Sequence, residues 1–187
     1  MPARDGGMEI FMKWFIISDI HGSFYYAKQA IEAYKKENAD KILLLGDVLY
    51  HGPRNDLPKD YAPKKVIALL NELKDKILCV RGNCDAEVDQ MVLEFPIMAD
   101  YEIINDGGVT VFATHGHKFN EENLPSVNFD ILLHGHTHIP KNKKHEDYTY
   151  INPGSVSIPK EDSHHGYLIF ENGTFTFKDF DGNVIDI

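Results

Sequence analysis

Five short apolar runs in this chain each stop in carboxylate, amide or imidazole groups set beside glycine, and that repetition restricts what the chain can fold into. In order, the endings are Asp19-Ile20-His21 after Trp14–Ile17, Gly46-Asp47 after Lys41–Leu45, Gly82-Asn83-Cys84-Asp85 after Ile77–Val80, His115-Gly116-His117 after Val109–Thr114, and His134-Gly135-His136-Thr137-His138 after Ile131–Leu133. Runs rich in β-branched and aromatic residues with no polar alternation read as strands covered on both faces. In open α/β sheets the crevice beyond the carboxyl strand ends is where ligands bind. Carboxylate oxygens and imidazole nitrogens gathered there suit Mn, Fe, Co, Ni or Zn. Histidine also favours polar loops, glycine also marks turns, and a lone D-x-H is weak. Six of the ten histidines (His21, His115, His117, His134, His136, His138) nevertheless fall at or just past these strand ends. The ordered conjunction carries the argument.

Between the first two endings, Ser23 is placed to cap a helix from Phe24 to Glu37, with Phe24, Ala27, Ala30, Ile31 and Tyr34 on one face. Strand, helix, strand over so short a stretch is a βαβ unit, so the two strands are predicted parallel, with Asp47 beside Asp19. Val48 to Ala62 is a loop by its Gly, Pro, Asn and Asp content, and its length suits a functional role. A second helix is expected from Pro63, burying Val66, Ile67, Leu70 and Leu73. From Tyr101 onward, hairpin signals at Asn105–Gly108 and Glu171–Gly173 predict a mostly antiparallel back half. Asn152-Pro153-Gly154-Ser155 reads as a tight turn. The expected class is α/β (α+β), a four-layer αββα sandwich formed by one domain over residues 12–187, with residues 1–11 as an N-terminal extension.

Composition narrows the function. A formal net charge of -10 argues against nonspecific nucleic-acid or anionic-membrane binding, which Lys and Arg supply. No stretch has the length of apolar residues that a membrane span needs. Cys79 and Cys84 are too few for a disulfide framework and point to a reducing, cytoplasmic setting. The first eleven residues lack the apolar core of a secretory signal.

The ordered set Asp19-x-His21, Gly46-Asp47, Gly82-Asn83-Cys84-Asp85, His115 and Gly135-His136-Thr137-His138 resembles the calcineurin-like metallophosphoesterase superfamily, over the chain from Met12 to its end. Within it, the stretches GDVLYHGPRNDLPKDYAP, VRGNCDAEVDQM, THGHKF, ENLP and NPGSVSIPK are similar to the small bacterial YfcE-type phosphodiesterases. The resemblance implies two divalent metal ions, Mn2+ foremost, with Fe, Ni, Co or Zn as alternatives. Asp19, His21, Asp47 and His138 would hold one ion, and Asp47, Asn83, His115 and His136 the other, with Asp47 bridging. Two such ions about 3.5 to 4 Å apart share a hydroxide that attacks phosphorus in line. The implied activity is hydrolysis of a small phosphodiester. Neutral Asn83 keeps the site from becoming too negative for an anionic substrate.

Cys84 departs from the wider superfamily, where a histidine at this position assists the leaving group. A thiol is a weaker donor and carries no positive charge. Arg54, in the long loop, is a candidate substrate contact, and His117 either touches substrate or supports a ligand. Arg81 either reaches a phosphate or pairs with a carboxylate such as Asp85. His134 has no ligand slot and reads as structural, and Cys79 as core. Two other readings stay open: a scaffold resembling a retromer subunit of the same fold, and a nuclease, against which the acidic charge counts. A homo-oligomer is compatible with everything above. Because no ligand precedes Asp19, a chain beginning at Met12 is expected to fold and keep its turnover, measured as metal content and kcat against the full chain.

Overall fold

The computed structural model describes residues 12–187, so the expectation for residues 1–11 lies outside it. β1 (Trp14–Ile17), β2 (Lys41–Leu44) and β3 (Ile77–Cys79) run parallel side by side. α1 (Phe24–Glu37) and α2 (Pro63–Asn71) cross between them, and a single helical turn, α3 (Glu87–Gln90), follows β3. β4 (Tyr101–Asp106), β5 (Val109–Thr114), β6 (Ile131–His134), β7 (Lys141–Lys144) and β8 (Thr149–Asn152) form a second sheet in the order β4-β5-β6-β8-β7. The hairpin of β9 (Gly166–Glu171) and β10 (Thr174–Asp179) returns to the first sheet, giving β10-β9-β1-β2-β3.

Strand alternation explains the layers. Phe15 and Ile17 of β1 join Ile42 and Leu44 of β2 in a core shared with Ala27, Ala30, Ile31 and Tyr34 of α1 and Val66 and Leu70 of α2. Their neighbours Trp14, Ile16 and Leu43 face the other way, against Val111, Ala113, Leu133 and Ile151 of the second sheet. Both faces of the first sheet are therefore buried, which accounts for runs without polar alternation. Each large apolar side chain buried this way contributes about 1.5–3 kcal/mol. Helix α1 starts where expected, with the Ser23 side chain accepting from the Tyr26 N–H, and Asn38 ends it in the left-handed region at φ 50°.

The back half is mostly antiparallel as expected, through β4–β5, β7–β8, β9–β10 and β9–β1, but the centre of the second sheet is parallel, β5 with β6 and β6 with β8. Strands β7 and β8 had no sequence signal: β7 is Lys-Asn-Lys-Lys, exposed throughout, the composition of a protected edge strand rather than a core one. Aromatic side chains pack against one another on this sheet. Phe112 stacks on Tyr101 at 4.8 Å and meets Phe119 edge-on at 5.4 Å, while His134 stacks on Tyr150 at 4.5 Å. No helix among the described residues is long and apolar enough to cross a membrane.

Glu37, at the carboxyl end of α1, joins the helix to the sheet. Its carboxylate accepts from Lys13 Nζ at 2.9 Å, Lys178 Nζ at 2.7 Å and Tyr167 Oη at 2.9 Å. Burial raises its pKa, but the bonds from Lys178, Lys13 and Tyr167 outweigh burial and hold it down at about 2. Its stabilisation is thus complete above the ordinary value of 4.5 and is lost as pH falls toward 2. Glu37→Gln should cost about 1–3 kcal/mol at neutral pH. In urea unfolding, the gap between the two proteins should close as pH is lowered from 5 to about 2.

Candidate metal centre

The parallel strands bring the predicted endings to one edge of the sandwich. They do not arrive as extended tails. Asp19 (φ 58°), His21 (49°), Asp47 (54°), His136 (66°) and His138 (64°) all sit in the left-handed region, which Asp and His tolerate better than bulkier residues. The loops after β1 and β2 are held together by backbone bonds: Asp19 N–H to Gly46 O at 3.1 Å, His21 N–H to Asp47 O at 2.9 Å and Gly22 N–H to Val48 O at 2.9 Å. The adjacent glycines permit close approach: a Cβ on Gly82 would collide with the Asp47 carboxylate, and one on Gly135 with Ser18 and Asp19.

Three overlapping donor groups result among the described residues: Asp19, His21 and His138; Asp47, His115 and His136; and, between them, His21, Asp47 and Cys84. His21 Nδ1 donates to Tyr50 O at 2.8 Å, His115 Nδ1 to Leu45 O at 2.6 Å and His138 Nδ1 to Ile158 O at 2.8 Å. A carbonyl only accepts, so each ring carries a proton on Nδ1 and turns Nε2 into the site. Those inward nitrogens crowd one another and the carboxylates. His21 Nε2 lies 3.2 Å from His138 Nε2, and His115 Nε2 lies 3.2 Å from His136 Nδ1 and 3.1 Å from Asn83 Oδ1. Asp19 Oδ1 is buried without a hydrogen-bond partner, 3.2 Å from His138 Nε2 and 3.5 Å from His21 Nε2. Asp47 Oδ1 accepts the Cys84 N–H at 2.7 Å, leaving Oδ2 between His115 Nε2 at 3.4 Å and His21 Nε2 at 3.7 Å. Buried carboxylates and imidazole nitrogens held this close need positive charge between them, supplied by protons on the imidazoles or by bound cations, and the donor chemistry fits borderline divalent ions.

Electrostatics agree. Burial works against ionising Asp19, yet His138 and His21 hold its carboxyl well below the usual range. For His115, burial opposes the charge but Asp47 and Asp19 outweigh it, raising its pKa to about 9. The carboxylate pair thus generates a strong local demand for positive charge.

Several supporting residues escaped the sequence reading. Buried Asp85 accepts the N–H groups of Asp47 at 2.8 Å and Gly82 at 2.7 Å on one oxygen and Val48 at 2.9 Å on the other, tying the β2 and β3 endings together. Ser155 and Ser157 hydroxyls donate to Asp19 O at 2.9 and 3.0 Å, and Asn152 Nδ2 to Gly135 O at 2.9 Å. The turn after β8 is therefore a brace under the centre. Its only advance signal was the Asn-Pro-Gly-Ser string.

Above the donors opens a cleft of about 370 Å³ whose lining includes Arg54, Asn83, Cys84, His136, His138 and the unforeseen Lys160. His117 is not among its lining residues; its ring centre lies 5.4 Å from that of His115, and burial followed by repulsion from His115 lowers its pKa to about 4. His134 is buried against Tyr150 with its pKa likewise lowered to about 4 by burial, consistent with a structural role. Arg81 pairs with a carboxylate, though that of Glu87 rather than Asp85: Nη2 lies 3.9 Å from Glu87, and Nε donates to the Asp85 backbone carbonyl at 3.2 Å. Cys79 is buried in the core, and burial raises its thiol pKa well above normal.

The family model of the calcineurin-like phosphoesterase superfamily domain matches residues 12–174. The chain belongs to that superfamily. Phosphodiesterase YfcE of Escherichia coli strain K12 is 50% identical over 117 residues, covering 63% of this chain and 64% of that protein, a little under two thirds of each. The solved structure of YfcE, described as a phosphoesterase from E. coli, superimposes with a TM-score of 0.89 at 44% identity, covering 94% of this chain and 97% of that one. Vacuolar protein sorting 29 from Cryptosporidium parvum shares the superfamily's fold at 16% identity and a TM-score of 0.64, covering 95% of this chain and 97% of that one.

If Asp47 is shared between two ions as the family resemblance implies, Asp47→Ala should remove a donor from both, whereas His138→Ala, a member of the Asp19 group alone, should weaken one. Metal analysis after dialysis against Mn2+ should show bound metal falling toward none in the first and by about half in the second. Equal losses in the two variants would contradict a shared Asp47.

Proposed function

We propose that the protein is a divalent-metal-dependent phosphodiesterase with a binuclear centre, acting on a small phosphodiester. The observation that carries this reading is the convergence of carboxylate and imidazole groups at the floor of a cleft with Arg54 and Lys160 on its walls. Asp19, His21, Asp47 and His138 would hold one ion and Asp47, Asn83, His115 and His136 the other, Mn2+ being the first choice. Two bound cations supply an activated water and neutralise charge at phosphorus. The chain does the rest. The carbonyl-anchored imidazoles fix donor directions, and the Asp85 carboxylate fixes the backbone that carries Asp47. Arg54, with its planar fork of donors, and Lys160 can hold nonbridging phosphoryl oxygens.

Proton delivery to the leaving group distinguishes this site. Burial, then the Asp47 carboxylate, push the Cys84 thiol up to about 12, so it stays protonated and uncharged at neutral pH. His117, with its pKa near 4 and outside the cleft lining, is neutral and poorly placed to donate. Water is left as the proton source for the leaving alkoxide or aryloxide. A monoester dianion gains most from a cationic donor at this position, a diester monoanion least. The intact donor groups favour this enzymatic reading over a scaffold, and the net charge of -10 favours a small substrate over nucleic acid.

Chelation should abolish diesterase activity and Mn2+ should restore it. Cys84→His should raise the monoester-to-diester ratio of kcat/KM, by an amount bounded above by the roughly 10² to 10⁴ that general acids supply. An unchanged ratio would take Cys84 out of the specificity argument.

A further inference from the structure

A second cavity lies beside the metal cleft, and nothing in the mechanism above uses it. It encloses about 400 Å³ and is walled by Leu49, Tyr50, Tyr61, Ile67, Val88 and Val92, with Cys84 at one end. That size is within the usual range of small-ligand sites. Cys84 also lines the metal cleft, so the two cavities meet at the thiol. Tyr50 joins them a second time: its carbonyl anchors His21 Nδ1 at 2.8 Å, while its side chain walls the groove. Val88, 65% exposed, and Val92, 44% exposed, present apolar surface that no other described residue covers.

The two cavities differ in charge. The cleft carries Arg54 and Lys160, whereas the one charged side chain along the groove is Asp89, whose Oδ2 accepts the Ala86 N–H at 2.8 Å. An anionic group entering the groove would meet a like charge and apolar walls, at a cost; an uncharged ring or alkyl group would meet neither penalty. The boundary residue is itself small and uncharged, as a soft, weakly polar thiol.

We infer that this groove is a subsite for one ester arm of the substrate, and that the preferred arm is an uncharged aromatic or aliphatic group lying across Cys84. The inference rests on the phosphodiesterase reading and deepens it. With phosphorus over the metal donors, one arm points along the cleft toward Arg54 and Lys160, and the other passes the thiol to lie against Tyr50, Val88 and Val92.

The test compares two diesters with a common 4-nitrophenyl leaving group, one with a methyl and one with a phenyl second arm, on the Mn2+-loaded full chain. Burying the ring should favour the phenyl diester by about tenfold to a hundredfold in kcat/KM. Val88→Asp places a charge in the groove at an exposed position and should bring that ratio near unity, while Val88→Leu should keep it. No phenyl preference in the parent, or a preference that survives Val88→Asp, would overturn the inference. If neither diester is hydrolysed, the phosphodiesterase reading fails on its own account. The groove is then judged by adding phenol to methyl-labelled protein: shifts at Val88 and Val92 methyl resonances support an apolar ring site, and their absence overturns it.

Discussion

The crowding of buried carboxylates and imidazole nitrogens at one edge of the sandwich is the constraint on which the rest of this structure depends. His21, His115 and His138 are each anchored through Nδ1 by a backbone carbonyl, which turns Nε2 inward toward carboxylates that are themselves buried. Such an arrangement is costly alone and has to be held by its surroundings. The paired loops after β1 and β2, the Asp85 carboxylate on three backbone N–H groups, and the Ser155 and Ser157 hydroxyls on Asp19 O are that support. Strand packing behind them supplies the stability that the site draws on.

A protein of net charge -10 that is to handle phosphate esters, as we propose, has to reverse its own field locally. Most acidic side chains stay on the surface, where solvent screens them. Within the cleft, Arg54 and Lys160 are the cationic side chains, and the donor groups below them invite further positive charge. The apolar groove past Cys84 provides the complementary environment, one without cations. The two adjoining cavities thus differ in charge, with a thiol on their boundary.

Much of this was legible in the residues. Strands β1 and β2 announced themselves because both their faces are buried, and α1 because its small residues and Tyr34 recur with helical period. The seven proposed ligands were legible because Asp, Asn and His were repeated beside glycine at successive strand ends. Legibility failed where a residue acts through the backbone or where an element has no buried face. Asp85 looks like an extra acid beside Asn83, and nothing in its identity tells that its oxygens bind three amides. The strand β7 is all polar and exposed, so only its pairing with β8 makes it a strand. The parallel pairing of β5, β6 and β8 depends on connections made by irregular loops, which carry no periodic signal. Lys160 is one lysine among many until the fold places it at the cleft.

The left-handed backbone at Asp19, His21, Asp47, His136 and His138 bears on how such a protein can drift. Glycine and asparagine are the residues that adopt this conformation most readily. Asp to Gly, Asp to Asn and His to Asn each require a single nucleotide change, and each leaves the local turn comfortable while deleting or blunting a donor. Chemistry here is therefore easier to lose than architecture. A lineage could shed its metals one substitution at a time while retaining an intact sandwich available for other uses.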